Sequence, residues 1–185
     1  MKTSFLRVSA LFPLLALTFS SCLIGTVIAV PRQVPFHPAD FAGYDQPGTG
    51  SISGRVSTRD DHYQYISSGE EVGVIPVTPY TTETVKRELG HGERLTRSDG
   101  RLARYAHYGK TDRDGYFTVT GLPPGRYYVI GSTHWPNATG DDEYANIQWS
   151  CEQVTLAKGQ ALKLDVTHNP QIGNAITQDG FASGL

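Results

Sequence analysis

The side chains able to do chemistry in this chain are scattered. Hydrolysis by zinc needs a His and a Glu three residues apart plus a distant third ligand, with one coordination position left open. His91-Gly92-Glu93 has the wrong spacing for that. A serine nucleophile on a strand-to-helix elbow shows as Gly-x-Ser-x-Gly, and the sequence has none. Asp112 and Asp114, or Asp141, Asp142 and Glu143, match calcium by carboxylate count alone. Their neighbours complete no ligand loop, so they read as a turn and a solvated acidic loop. Cys151 lies near Ile147, Trp149 and Val154, an apolar strand-like setting that suits a small buried hydrophobe better than a nucleophile. Trp135, Tyr144, Tyr63 and Tyr65 remain: flat apolar faces with polar handles, able to stack on sugars or anchor a partner. Trp149 is expected in the core.

Composition narrows the classes further. With 38% hydrophobic and 18% charged residues and a net charge of -2, the 185-residue chain reads as a globular protein of one domain plus extras. Its 16 Lys and Arg are interspersed among 18 Asp and Glu without a basic run, which excludes a nucleic-acid partner. Twenty Gly, eleven Pro and ten Tyr favour turns and strands over helices.

Lys2 and Arg7 precede a charge-free run from Val8 to Val30, the layout of an export signal occupying residues 1–29. Three endings stay open. Phe19-Ser20-Ser21-Cys22 resembles a lipobox that would leave Cys22 lipidated; Val27-Ile28-Ala29 suits an ordinary signal peptidase; and an uncut segment is long enough to span ~30 Å of bilayer. All three export the domain, to the periplasm or to a membrane-tethered position. Cys22 belongs to the signal, so Cys151 has no partner for a disulfide. Residues 30–49 contain Pro31, Pro35, Pro38 and Pro47 and predict an extended tether. Residues 169–185 predict a disordered tail, leaving residues 50–168 as the domain.

Within the domain the apolar period is mostly two. Ile52, Gly54 and Val56 predict a first strand, and Val72 to Val77 a second, buried on both faces and stopped by Pro76. "YTTETVKRELG" predicts one short inserted helix, capped by Thr81 or Thr82 and ended by Gly90. A helical turn can begin "RSDGRLARYAHYGK", with Tyr105 to Lys110 extended. Asp112-Arg113-Asp114-Gly115 predicts a hairpin turn, in which Asp112 binds backbone N–H groups ahead and Gly115 takes a positive φ. Phe117 and Val119 then face one way and Tyr116, Thr118 and Thr120 the other. Gly121-Leu122-Pro123-Pro124-Gly125 is a second turn, in which Leu122 plugs the end of a sandwich. Tyr127 to Ile130, Ile147 to Leu156 and Leu162 to Val166 complete about seven strands, which predicts a seven-stranded antiparallel β-sandwich.

A first strand reading "SISGRV" followed by "TDRDGYFTVTGLPPGRYYV" resembles the carboxypeptidase regulatory-like family of transthyretin-like (prealbumin-type, Ig-like) β-sandwiches. The likeness rests on Gly54, Val56, Thr111, Asp112, Gly115, Phe117, Leu122, Pro124, Gly125 and Tyr127. It implies a non-catalytic module, used in bacterial envelope proteins as a stalk, an adhesive repeat or a plug-adjacent domain. Residues 79–110 form an insertion that departs from the short family pattern.

Intradiol ring-cleavage dioxygenases are similar around the same motif, and that resemblance implies ferric iron held by two Tyr and two His. Tyr105, His107, Tyr108 and His134 lie nearby, but "STHWPN" supplies only His134 where a His-x-His pair is needed. Lys-to-Asn isopeptide crosslinks of related adhesin repeats need an Asn in the last strand, and Val166-Thr167-His168 has none. The expectation is therefore a non-enzymatic exported module without cofactor or metal, acting in structure or in binding an envelope protein or glycan. A carbohydrate-binding module is the alternative.

Overall fold

The computed structural model describes residues 28–59, 63–135 and 146–167. The proposed lipidation site Cys22, Tyr144 and the tail at 169–185 lie outside the described residues.

Two four-stranded sheets pack face to face. The first holds β1 (Gly50–Arg59) at its centre, flanked on one side by β2 (Gln64–Ile66) and β5 (Tyr116–Leu122) and on the other by β8 (Ala161–Thr167). The second runs in the order β4 (His107–Lys110), β3 (Glu71–Pro76), β6 (Gly125–Trp135), β7 (Asn146–Leu156). Alternation sets which side chains face inward: Ile52 and Val56, Val72 and Val74, Phe117 and Val119, Tyr127 and Val129 all enter one core with Leu122, Leu156 and Val166. Tyr116, Thr118 and Thr120 face solvent, as the period predicts.

Three expectations about the sheets need correction. Among the described residues eight strands form, one more than predicted, because β2 has three residues and is too short to show a period of two. The sandwich is not wholly antiparallel: β1 and β8 run parallel from Ser51↔Ala161 to Ser57↔Thr167, a pairing no local pattern encodes. The Asp112 and Pro124 turns join no hairpins, since β4 and β6 belong to one sheet and β5 to the other; both are corners that carry the chain between sheets. At the first corner Asp112 Oδ1 accepts the N–H groups of Asp114 and Tyr116, each at 2.9 Å, and Gly115 has φ +82. At the second, Tyr127 Oη donates to the Pro123 carbonyl at 2.7 Å.

The helix begins earlier than predicted. Thr78 is its cap, Pro79 takes the first helical position, and Thr81 closes a capping box with Thr78. This α1 (Pro79–Thr84) widens into one π-turn, Val85–Leu89, capped by Gly90. Val85 and Leu89 pack with Ile75, Tyr128, Ile130 and Cys151 on the outer face of the second sheet. A 3-10 turn, Gly100–Arg104, follows in the place the sequence suggests.

The largest correction concerns residues 30–49, which are not an extended tether. Pro38–Tyr44 forms a 3-10 helix, and Phe36 and Phe41 are buried with Tyr80, Leu102 and Tyr105 of the insertion. Phe36 and Phe41 stack with ring centroids 4.6 Å apart. The prolines that exclude an α-helix allow this irregular strap because side-chain and cross-segment bonds replace a helical ladder. Val30 donates to the Arg94 carbonyl at 2.7 Å and accepts from Thr96 at 2.9 Å. Glu83 accepts the N–H groups of Gln33 and Val34 at 2.7 and 3.0 Å and pairs with Arg87 at 2.8 Å. Arg32 lies over the Tyr80 ring and donates to Thr84 Oγ1 and Ser98 Oγ. Tyr44 Oη donates to the Arg126 carbonyl and accepts its N–H, at 3.0 and 3.1 Å. Its ring occupies the space above Gly125, where a Cβ would come 2.5 Å from Tyr44 Cε1. Gly125 is thus required by the strap.

Burial pushes the Glu83 carboxyl up, but the Gln33 and Val34 N–H groups and Arg87 outweigh it and hold the pKa below the ordinary value. Its stabilising contribution is therefore full above the ordinary carboxylate pKa and is lost as pH falls through the depressed folded value. Glu88 runs the other way, its carboxyl pushed up by burial against the pull of Arg32. Acid titration of folding stability is expected to show a limb that flattens in Glu83→Gln. Because Phe41 is fully buried, Phe41→Ala is expected to cost about 3–5 kcal/mol in chemical denaturation, against nearly nothing for a residue of a free tether.

Candidate functional site

Strand directions place the expected binding residues. Thr133 Oγ1 donates to Thr58 Oγ1 at 2.7 Å across the two sheets, and Thr58 pairs with Tyr65 on β2. The ends of β1 and β6, with β2, therefore meet at one end of the sandwich. Trp135 terminates β6 there, two positions beyond Thr133. Tyr63 precedes β2 and is 67% exposed; Tyr65 is half-buried, with ring centroids 6.3 Å apart. His134 Nε2 approaches Glu70 Oε2 at 3.7 Å on the same end. Tyr63, Tyr65 and the backbone of Trp135 are thus brought to one end.

The interior below this end is polar. Thr58, Thr133, Gln148 and Ser150 are buried there, where the opposite end holds Leu122 and Leu156. Ser150 Oγ is the one buried side-chain polar atom without a partner among the described residues. Such a lining lets the end of the sandwich meet water or a hydroxylated ligand at smaller cost than an apolar plug.

The iron donors considered from the sequence do not converge. Tyr105 is buried at the strap end, its phenol pKa raised by burial and by Asp45. His107 and Tyr108 pair with Val74 and Gly73 from the edge strand β4, and His134 lies at the far end of β6. Among the described residues no three His, Cys, Asp or Glu side chains come together.

Cys151 is 2% exposed, and burial pushes its thiol up to about 12. Trp149 is half-buried and packs on the same cluster as Cys151.

A second feature escaped the sequence reading. Where the strap crosses the insertion, an open cleft of about 320 Å³ is lined by Arg32, Phe36, Tyr80, Arg97 and Asp99, among others. Its residues come from stretches some 50 positions apart, and the only local signal was the density of arginines in residues 87–104.

No protein-family model matches the chain, and no curated protein matches it. Among solved structures, a candidate carbohydrate-binding protein of Pseudomonas aeruginosa is similar with a TM-score of 0.61 at 22% identity, over 73% of this chain and 99% of that one. The minor pilin of Streptococcus agalactiae gives 0.34 at 15% identity, over 68% of this chain and 47% of that one. The major pilin subunit of Bacillus cereus gives 0.38 at 16%, over 66% and 30%. The first likeness establishes a shared fold; the pilin likenesses are too slight to build on.

A raised thiol pKa and near-complete burial give a direct test. Iodoacetamide at neutral pH is expected to leave Cys151 unmodified in the native protein and to alkylate it once the chain is unfolded, read by mass spectrometry of the peptide that contains it.

Proposed function

We propose that this chain is an exported, non-catalytic β-sandwich module of the bacterial envelope that binds glycan through the end carrying Tyr63, Tyr65 and Trp135, with Tyr144 in the connection that follows Trp135. The observation that carries the reading is the exposed ring of Tyr63 beside Tyr65 at the end where β6 terminates. Aromatic faces of this kind stack on the C–H faces of sugars while their hydroxyls bond to sugar hydroxyls. The likeness to a candidate carbohydrate-binding protein supports the same ligand class.

Membership of the carboxypeptidase regulatory-like family is part of the proposal. It is supported by where the quoted motifs fall: "SISGRV" forms the central strand β1, and "TDRDGYFTVTGLPPGRYYV" forms the corner, β5, the second corner and the start of β6. Export rests on the charge-free run after Lys2 and Arg7, held by lipidation at Cys22, by retention of the segment, or released by cleavage after Ala29.

Calorimetric titration against envelope glycans, peptidoglycan fragments included, tests the binding. Tyr63→Ala and Trp135→Ala are each expected to weaken affinity at least tenfold, about 1.4 kcal/mol, with an unchanged thermal midpoint. Retention of a protein partner with no glycan bound would favour a structural or protein-binding role and sink the glycan reading.

A further inference from the structure

We infer that the face where the strap joins the insertion, around Val30, Arg94 and Arg97, lies against an anionic phospholipid surface. This rests on the export reading proposed above, with the N-terminal segment retained or lipidated.

Among the described residues the first cross-segment pairing is at Val30, whose N–H and carbonyl are bonded to Arg94 and Thr96. The charge-free run of the signal ends at the same residue. A retained apolar segment would therefore hand over to the domain with no spacer. A lipid on Cys22 would leave eight steps of chain to Val30, about 28 Å at full extension. A free tether over residues 30–49 would have added about 70 Å. Because that stretch is packed strap, the module stands on the bilayer without a stalk.

The charges at the join suit that position. Arg94 and Arg97 are exposed and, among the described residues, form no ion pair. The carboxylates of this region are all engaged: Glu83 and Glu93 by Arg87, Glu88 by Arg32, and Asp99 by Arg101. The uncompensated charge at the join is positive although the whole chain carries -2. Ile28, just before the join, is 81% exposed and adds an apolar contact. Basic side chains next to a membrane segment are drawn to anionic lipid within a Debye length. Arg97 also lines the cleft of about 320 Å³, which has room for one phosphate headgroup. Two arginines are too few to hold the protein alone; combined with the anchor they fix which face turns to the lipid. Tyr63 immediately precedes β2 and so lies beside the other sheet.

Full-length protein carrying a photo-crosslinking phenylalanine analogue at position 96 or 63 is reconstituted into vesicles of phosphatidylglycerol and phosphatidylcholine. Lipid adducts are expected at position 96 and not at 63. The double variant Arg94→Glu, Arg97→Glu is expected to lower the adduct at least fivefold while still sedimenting with the vesicles. Equal adducts at both positions, or an adduct untouched by charge reversal, would overturn the orientation alone. Failure of the unmodified chain to sediment with vesicles would overturn the anchored reading and this inference with it.

Discussion

Strands β3 and β6 are apolar on both faces, and a sheet of that kind has to be covered twice. Val72, Val74, Tyr127 and Val129 are covered by the first sheet, as in any sandwich. Ile75, Tyr128 and Ile130 point the other way and require a second cover, which Val85 and Leu89 of the insertion supply. That cover has an outer surface of its own: Tyr80, Leu102 and Tyr105 would lie bare without Phe36 and Phe41 of the strap. The insertion and the strap are thus successive answers to one excess of apolar surface. The cost of the last layer is a carboxylate, Glu83, taken almost wholly out of water, and it is tolerated because two backbone N–H groups and a guanidinium meet it.

How much of this was legible in the sequence depended on range. Alternation along β5 and β6 assigned Phe117, Val119, Tyr127 and Val129 to one face and their neighbours to the other, because a period of two is a local property. The turn chemistry of Asp112 and Gly115 was local too. Which strand each corner led to was not, since a turn that closes a hairpin and one that changes sheets share the same residues. Prolines in residues 30–49 suggested an extended chain, yet Pro38–Tyr44 forms a 3-10 helix, and prolines are silent about whether Phe36 and Phe41 find a surface; that depends on Tyr80 and Tyr105, some 40 to 70 positions away. The aromatic end was legible as residue types, and its assembly through Thr58 and Thr133 was not.

The same distinction applies to the readings of chemistry. Tyr105, Tyr108 and His134 looked promising as a string, yet β-structure spreads neighbours in sequence along a strand and across sheets, so nearness to a motif gives no convergence. Binding by aromatics asks for less. A flat ring at the rim needs position but little geometric closure, and the ends of strands supply it without disturbing the core. A sandwich with a polar lining beneath one rim and an apolar plug at the other has two unlike ends, and the exposed ring of Tyr63 stands at the first.

The parallel pairing of β1 with β8 has a mechanical meaning. The domain's first and last described strands lie side by side over seven registered positions and point the same way. Traction applied at the start of one and the finish of the other slides them lengthwise, loading the whole ladder at once in shear, whereas antiparallel neighbours pulled in that manner would unzip one rung at a time. A module wired like this resists being drawn out along its own axis, a useful property wherever one end is held fast and the other is tugged.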